Sequence, residues 1–272
     1  MQSQLSEQQS RTTCPACASG RLTAQFDRQS WSRQFEHTTD VRETFAGMMS
    51  ADPRLAFNKM LICNECGTLF PDRVPPIEAL SDFYTNHYGD TVHVGKMAKK
   101  LALEKRRIFL LKWLTSGRRF LDVGCNIGCA VEAARWNGFT ATGIELNPEA
   151  VKIARQNFPN NQFLQSTVDE VTATQAFDMV YCTEVVEHVP DTDKFIASLS
   201  RALVPGGILF LSTPDAGHFS VRRHLFTWEA VKPPEHLTLF TKEGLRHALR
   251  PYFKAPWFFP NQKPGIQLIA RR

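Results

Sequence analysis

Phe120-Leu121-Asp122-Val123-Gly124-Cys125-Asn126-Ile127-Gly128-Cys129-Ala130 reads as an apolar strand that breaks into a turn of small residues and runs straight into a helix. A parallel strand buried on both faces is a short apolar run, and Arg119 to Val123 is one until Asp122 near its carboxyl end. Open α/β sheets bind ligands at that end. Gly124 and Gly128 admit backbone angles closed to other residues, and Asn126 belongs to the few non-glycines that tolerate the left-handed region. Cys129 to Trp136 has the composition of a helix, with Asn137-Gly138 as its stop. A second strand, Thr140 to Ile144, ends on Glu145. Strand, glycine turn, helix, strand and terminal acid make a nucleotide-binding βαβ unit, in which that acid holds ribose hydroxyls.

The turn is not the dinucleotide fingerprint, because it lacks the G-x-G-x-x-G spacing and carries an acid at its start. A pyrophosphate wants backbone N–H groups; an acid suits a ligand bearing a cation, and S-adenosylmethionine is one. Leu121-Asp122-Val123-Gly124-Cys125-x-x-Gly128, followed by Gly143-Ile144-Glu145-Leu146-Asn147-Pro148, resembles motifs I and II of class I S-adenosylmethionine-dependent methyltransferases. The family's central glycine is Asn126 here. The resemblance implies an α/β fold with a Rossmann-like, mostly parallel sheet and an antiparallel late strand. It assigns Asp122, Gly124, Cys125, Asn126 and Gly128 to the methionine end of the cofactor, and Glu145 with Leu146 to the ribose. The plainer alternative is a Rossmann-like turn with no ligand.

A chain of 272 residues predicts one main domain with an appendage, and its composition is that of a globular protein. The polar start, Met1 to Ser10, lacks the apolar region of a signal peptide. The most apolar stretch, Ile108 to Leu114, is too short and too interrupted to span a bilayer, so no membrane partner and a cytoplasmic location are expected. Seven cysteines argue against a pure disulfide framework. Four fall in Cys14-Pro15-Ala16-Cys17 and Cys63-Asn64-Glu65-Cys66-Gly67, two tight turns that together supply four thiolates to one tetrahedral site. They predict a structural zinc ribbon, with Phe26, Trp31, Phe35, Phe45 and Phe57 as a small core. A thioredoxin-like redox pair and unrelated free thiols are the alternatives, although neither motif opens a helix after a strand.

The proline-rich segment Leu69 to Pro76 marks a change of character, followed by a short helix from Ile77 that ends near Asn86 to Asp90. The run Cys63-x-x-Cys66-Gly67-x-x-Phe70, prolines, then Leu80-x-x-Phe83-Tyr84 and Tyr88 is similar to bacterial methyltransferases that carry an N-terminal zinc ribbon. Their acceptors are usually sugars or other small molecules. The predicted domains are therefore a zinc ribbon over 1–75, a helical linker and cofactor-site cover over 76–116, and a methyltransferase domain over 117–272 with an insertion at 215–240. Lys96 to Leu114 predicts an amphipathic helix whose outer face is basic through Lys99, Lys105, Arg106 and Lys112 among others. A solvated face is the plain reading of that charge; phosphate binding or attraction of an acidic substrate are the functional ones.

Phe163-Leu164 predicts the third strand, and the loop after it is where the family reads adenine; Asp169 is the candidate, against a plain helix-capping role. The fourth strand, Phe177 to Cys182, brings Cys182 to the cofactor-binding set. It leads into Thr183-Glu184-Val185-Val186-Glu187-His188-Val189-Pro190-Asp191, which closely resembles the corresponding stretch of ubiquinone-biosynthesis O-methyltransferases. His188 titrates near neutrality and is the first candidate general base, with Glu184 and Glu187 lining the acceptor pocket or anchoring the loop. The fifth strand, Ile208 to Pro214, is followed by an aromatic insertion expected to cover the mouth of the site. There His218, Arg222, His224 and Trp228 are candidate acceptor contacts, and Pro234-Glu235-His236-Leu237 makes His236 a second candidate base. The predicted activity is methyl transfer from S-adenosylmethionine to a small molecule, at oxygen. An RNA acceptor gripped by ribbon and basic helix is one rival reading, and a non-catalytic cofactor sensor or scaffold is another. Oligomeric state is not legible.

Overall fold

A computed structural model describes residues 8–87, 95–171 and 176–272. Tyr88, Gly89 and Asp90, where the first linker helix was expected to end, lie outside the described residues. The N-terminal region holds a two-residue strand β1 (Gln9–Ser10) and a three-stranded antiparallel sheet of β2 (Leu22–Asp27), β3 (Lys59–Cys63) and β4 (Leu69–Pro71), with β5 (Arg73–Val74) pairing back to β1. Between β2 and β3 the chain is helical: α1 (Arg28–Arg33) and α2 (Val41–Ala51). Each starts on an aspartate, Asp27 or Asp40, whose carboxylate accepts a backbone N–H of the first turn. Phe45 and Met49, one helical turn apart on α2, face inward.

The expected aromatic core forms, with Trp31 edge-on to Phe35 at 5.2 Å and to Phe57 at 5.9 Å. It is not private to the ribbon. Phe83 of α3 (Ile77–His87) meets Phe45 at 5.4 Å, and Trp228, Val231 and Leu239 of the 215–240 segment close the same cluster. Here the structure departs from the expectation of a lid: much of 215–240 is wall to the ribbon, because its apolar side chains find their burial there. Arg42 of α2 pins the contact. Its guanidinium lies over the Phe35 ring, pairs with Asp40, and donates to the carbonyls of Thr227 and Trp228 at 3.0 and 3.1 Å.

The remaining elements are α4 (Met97–Leu111), β6 (Arg119–Val123), α5 (Cys129–Trp136), β7 (Thr140–Glu145), α6 (Pro148–Asn157), β8 (Gln162–Gln165), α7 (Val168–Val171), β9 (Phe177–Thr183), α8 (Thr192–Ala202), β10 (Leu203–Pro214), α9 (Lys242–Leu249), β11 (Lys254–Phe258) and β12 (Gly265–Arg271). They build a seven-stranded sheet in the order β11-β12-β10-β9-β6-β7-β8. Strands β6 to β10 are mutually parallel, and β12 runs antiparallel between β10 and β11. Both faces are covered, which explains the unbroken apolar runs. On β6 and β9, Leu121, Val123, Val180 and Cys182 enter one core, while Phe120, Met179 and Tyr181 enter the other with Ile108 and Leu111 of α4.

The ribbon is bolted to this sheet. Leu69 and Leu239 exchange backbone hydrogen bonds at 2.9 and 2.8 Å. Thr241 caps α9 through Gly244 N and donates its hydroxyl to the carbonyl of Cys66. Gly244 sits so close to Thr68 that a Cβ there would lie 2.1 Å from its hydroxyl.

Candidate functional site

The glycine turn is set by sterics. Gly124 and Gly128 have φ of +74° and +84°, and Asn126 takes φ 49°, as the sequence required. A Cβ on Gly128 would meet the Phe163 ring at 2.6 Å, and one on Gly124 would lie 2.4 Å from Val185. The second contact has a consequence: it sets the 184–188 loop directly against the turn. Glu145 ties the turn to the end of β7, one carboxylate oxygen accepting Asn126 N at 2.9 Å, the other Leu146 N and Asn147 N at 2.8 and 3.0 Å. A carboxylate has about four lone-pair sites. Three are used by the described backbone, which leaves one. Leu146 is exposed beside it.

Asp122 is buried at the end of β6, and no hydrogen bond from a described residue reaches its carboxyl. Burial raises it to about 8, with the Lys100 charge pulling the other way. A cation placed against it would restore the carboxylate. Cys125 and Cys182 are buried, their thiols pushed up by burial, and Cys182 lies wholly within the sheet core. Its side chain therefore lines no open space. Asp169 faces α8, taking a hydrogen bond from Ser198 and ion pairs with Lys194 and Arg201 at 3.3 and 3.1 Å. These contacts make it a tether between α7 and α8.

Beyond Val185 a second constellation forms. The ring centroids of His188 and His236 are 4.7 Å apart and nearly perpendicular. Nδ1 of His188 faces the Glu235 carbonyl at 3.0 Å, and Nδ1 of His236 faces the Ala230 carbonyl at 2.8 Å. Carbonyls only accept, so both rings carry their proton on Nδ1 and present a bare Nε2. Burial favours that neutral form, lowering His188 to about 4 and holding His236 well below the usual histidine range. Glu187 is fully buried; one oxygen accepts the Thr213 hydroxyl at 2.9 Å, and the other lies 4.0 Å from His188 Nε2 without a hydrogen-bond partner. Burial, then the neighbouring Glu184, pushes its carboxyl well up. Ligand atoms of Glu187, His188 and His236 all lie within 4.8 Å, near enough to share a proton or a cation. Tyr84 of α3, which sequence reasoning did not single out as a site residue, donates to the Glu235 carbonyl at 3.2 Å beside His188. Only its place within the N-terminal resemblance marked it.

Glu184 holds φ 56°, unusual for a non-glycine, with its carboxylate accepting the Ser212 hydroxyl at 2.9 Å. The other acceptor candidates scatter. Trp228 is in the shared core, His224 is exposed, and Arg222 lines a groove with Phe26 and Asp27 of the ribbon side. His218 is buried, Nδ1 against the Ser220 hydroxyl and Nε2 without a hydrogen-bond partner.

The four ribbon thiols converge as one cluster, with Cys14 to Cys66 at 3.6 Å, Cys17 to Cys63 at 3.5 Å, and all within 4.8 Å. Zinc–sulfur bonds of ~2.3 Å place tetrahedral ligands ~3.8 Å apart. The thiols fit zinc. Arg11, just before the first knuckle, donates to the carbonyls of Leu237 and Pro190, the segments that carry His236 and His188.

The family described as "Methyltransferase domain" matches residues 95–252, more than half of the chain. A ubiquinone biosynthesis O-methyltransferase of Xanthomonas oryzae pv. oryzae is 41% identical over 104 residues, covering 36% of this chain and 44% of that one. The chain spans about half the length of the curated relatives it matches. Among solved structures, a Pyrococcus horikoshii protein superposes with a TM-score of 0.53 at 14% identity, over 62% of this chain and 89% of that one. The 1,6-didemethyltoxoflavin-N1-methyltransferase of Burkholderia thailandensis, solved with 1,6-didemethyltoxoflavin and S-adenosylhomocysteine, gives 0.52 at 17% over 71% and 87%. The fold is theirs, and the match over more than half its length shows that this chain belongs to the methyltransferase domain family, in its class I S-adenosylmethionine-dependent branch.

Proposed function

We propose that this protein methylates a small molecule at a hydroxyl oxygen, with S-adenosylmethionine as donor. The observation that supports the reading is the close approach of Val185 to Gly124, which brings the loop that carries His188 to the turn, with the Nδ1-protonated ring of His236 packed against that of His188. The cofactor supplies an electrophilic methyl group. Asp122 is suited to its ammonium, the turn to its methionine chain, and the spare lone pair of Glu145 to a ribose hydroxyl. In place of Asp169, committed to α8, the neighbouring loop residues Ser166 and Thr167 are the better adenine candidates.

Methyl transfer is an in-line displacement, so the acceptor must be held at near-attack distance from the methyl carbon. With the donor bound, its methyl would pass from sulfur to the acceptor oxygen, and the acceptor's hydroxyl proton would have to leave. Nε2 of His188 or His236 is built to take it. The fixed Nδ1–H stabilises the resulting imidazolium by donating to a carbonyl, and the Glu187 carboxyl, with one oxygen 4.0 Å from His188 Nε2, faces the new charge. Zinc in the four-thiolate cluster is structural in this reading, because four ligands leave no open position. The O-methyltransferase relatives favour an oxygen acceptor.

Calorimetric titration of the zinc-loaded protein with S-adenosylmethionine and with S-adenosylhomocysteine, followed by labelled-methyl transfer to phenols, sugars and nucleotide sugars, tests the proposal. Micromolar binding of both and label on a small hydroxyl compound are expected. No binding of either overturns the cofactor assignment, and label appearing only on RNA overturns the acceptor assignment.

A further inference from the structure

The sequence predicted a basic outer face on α4. Its actual outward stripe is different. Lys99, Leu103, Arg106, Leu110 and Trp113 succeed one another at helical spacings of three and four, and Phe109 lies beside them. Leu110 and Trp113 keep 69% and 70% of their accessible surface, and Leu103 and Phe109 about half. The inward face is already satisfied by Ile108, Leu111 and Glu104, the last bound to Arg107 and the Tyr181 hydroxyl. The stripe thus exposes large side chains that the protein's own core does not need. Scattered exposed leucines are ordinary, whereas three large apolar side chains on one helix and a tryptophan on the turn that follows it are a patch.

Charge identifies what covers it. Between Lys96 and Arg119 the only acid is Glu104, and that one is buried. Lys99 and Arg106 therefore interleave with the patch along the helix, with Lys96, Lys105, Lys112 and Arg118 on the same segment, and no exposed acid on that segment compensates them. Lys112 stands over the Phe109 and Trp113 rings at 4.5 and 5.2 Å, and Lys105 over Trp136 at 3.7 Å. A second copy of the chain would bring these cations against one another. Nucleic acid would satisfy them but gain nothing from Leu103 and Leu110. Aliphatic and aromatic side chains at the centre with lysines reaching past them are what an anionic lipid surface takes, the apolar tips at the acyl boundary and the amines at the headgroups.

We propose that the outer face of α4 with Lys112 and Trp113 is a docking surface for anionic membranes, lying on the bilayer without crossing it. No helix among the described residues is long and apolar enough to cross one. The inference is independent of the methyl acceptor and replaces the expectation that the protein has no membrane partner.

Co-sedimentation of the full-length, zinc-loaded protein with vesicles of phosphatidylcholine alone and of phosphatidylcholine with phosphatidylglycerol tests it. Binding is expected to the anionic vesicles only, weakening as salt rises through the range where the Debye length falls below about 8 Å. Each of Lys99→Gln and Arg106→Gln should lower binding about fivefold, and Leu110→Glu/Trp113→Glu should abolish it while the urea midpoint and S-adenosylhomocysteine affinity stay at wild-type values. Absence of wild-type binding overturns the proposal, as does binding that the charge variants leave unchanged. A dimer in sedimentation velocity that Leu110→Glu/Trp113→Glu dissociates, or RNA binding lost in the charge variants without any vesicle binding, overturns it in favour of that partner.

Discussion

The cofactor turn is shaped by hydrogen bonds made between neighbours on one βαβ unit: Glu145 to Asn126, Leu146 and Asn147, and Asn126 to Ile127. The histidine constellation has no such unit. His188 follows β9, His236 ends an irregular segment more than forty residues later, and Tyr84 comes from α3 on the far side of the linker. What holds these three together is the ribbon, through Leu69 on Leu239, Thr241 on Cys66, and Arg11 on Leu237 and Pro190. One half of the site is a property of a motif, and the other is a property of an assembly. The first should survive insults to the ribbon that destroy the second.

Loss of a zinc held by the four thiols would be the severest such insult, since structural zinc contributes on the order of 10 kcal/mol to the fold around it. Chelation, or Cys63→Ser with Cys66→Ser, should abolish methyl transfer while S-adenosylhomocysteine still binds. Parallel loss of both in calorimetry and activity assays would show one cooperative unit and break the comparison. His188→Ala acts inside the acceptor half alone. It should lower kcat by roughly 10²–10⁴, the range for a lost general base, with cofactor affinity unchanged. A loss under tenfold means that positioning suffices and the imidazole takes no proton.

Arg42→Ala tests whether the assembly depends on the wall between α2 and the 227–228 carbonyls. It strands Asp40 and two carbonyls in a largely buried place, which should cost about 3 kcal/mol in urea denaturation. A cost under about 0.5 kcal/mol would be that of a surface residue and would deny Arg42 its pinning role.

The same division decided what was legible in the sequence. Asp122, the turn and Glu145 could be read because strand, left-handed turn and terminal acid are consecutive, and local chemistry dictates each step. The two C-x-x-C knuckles were legible for the same reason. His188 and His236 could each be named as a candidate base from family likeness, but their meeting, and their shared use of backbone carbonyls and so their protonation, depends on where 230 and 235 are folded. Trp228 shows the limit most plainly. An aromatic in an insertion after the fifth strand looks like a specificity residue, yet it is buried in the core cluster that the ribbon shares with the 215–240 segment, a placement no local pattern announces. Asp169 was misleading in the opposite way, since its partners Lys194 and Arg201 lie on a different helix.

Glu145→Ala then probes the local half. It removes the carboxylate that both anchors the turn and is suited to the ribose, so cofactor affinity should fall by about 1–3 kcal/mol. Unchanged affinity in the titration would reject the assignment, while His188 would still stand.

The smallest effect is a pH dependence with a definite sign. Unfolded, a histidine titrates near 6.5; in the fold His188, with 20% of its side chain exposed, is lowered to about 4. The unfolded chain therefore binds more protons between those values, and the stability carried by the neutral ring is whole above pH 6.5 and lost as the pH falls toward 4. Glu187 and Asp122, both raised, have the opposite slope and mask it in the wild type alone. They are common to wild type and His188→Gln, so the difference between the two reports the histidine together with its coupling to Glu187 and His236. Between pH 7 and 5.5 the wild type should lose about 1 kcal/mol relative to the variant in urea denaturation. A constant difference would mean that His188 titrates in the fold as it does in water, which its carbonyl-bound Nδ1–H and buried neighbours forbid.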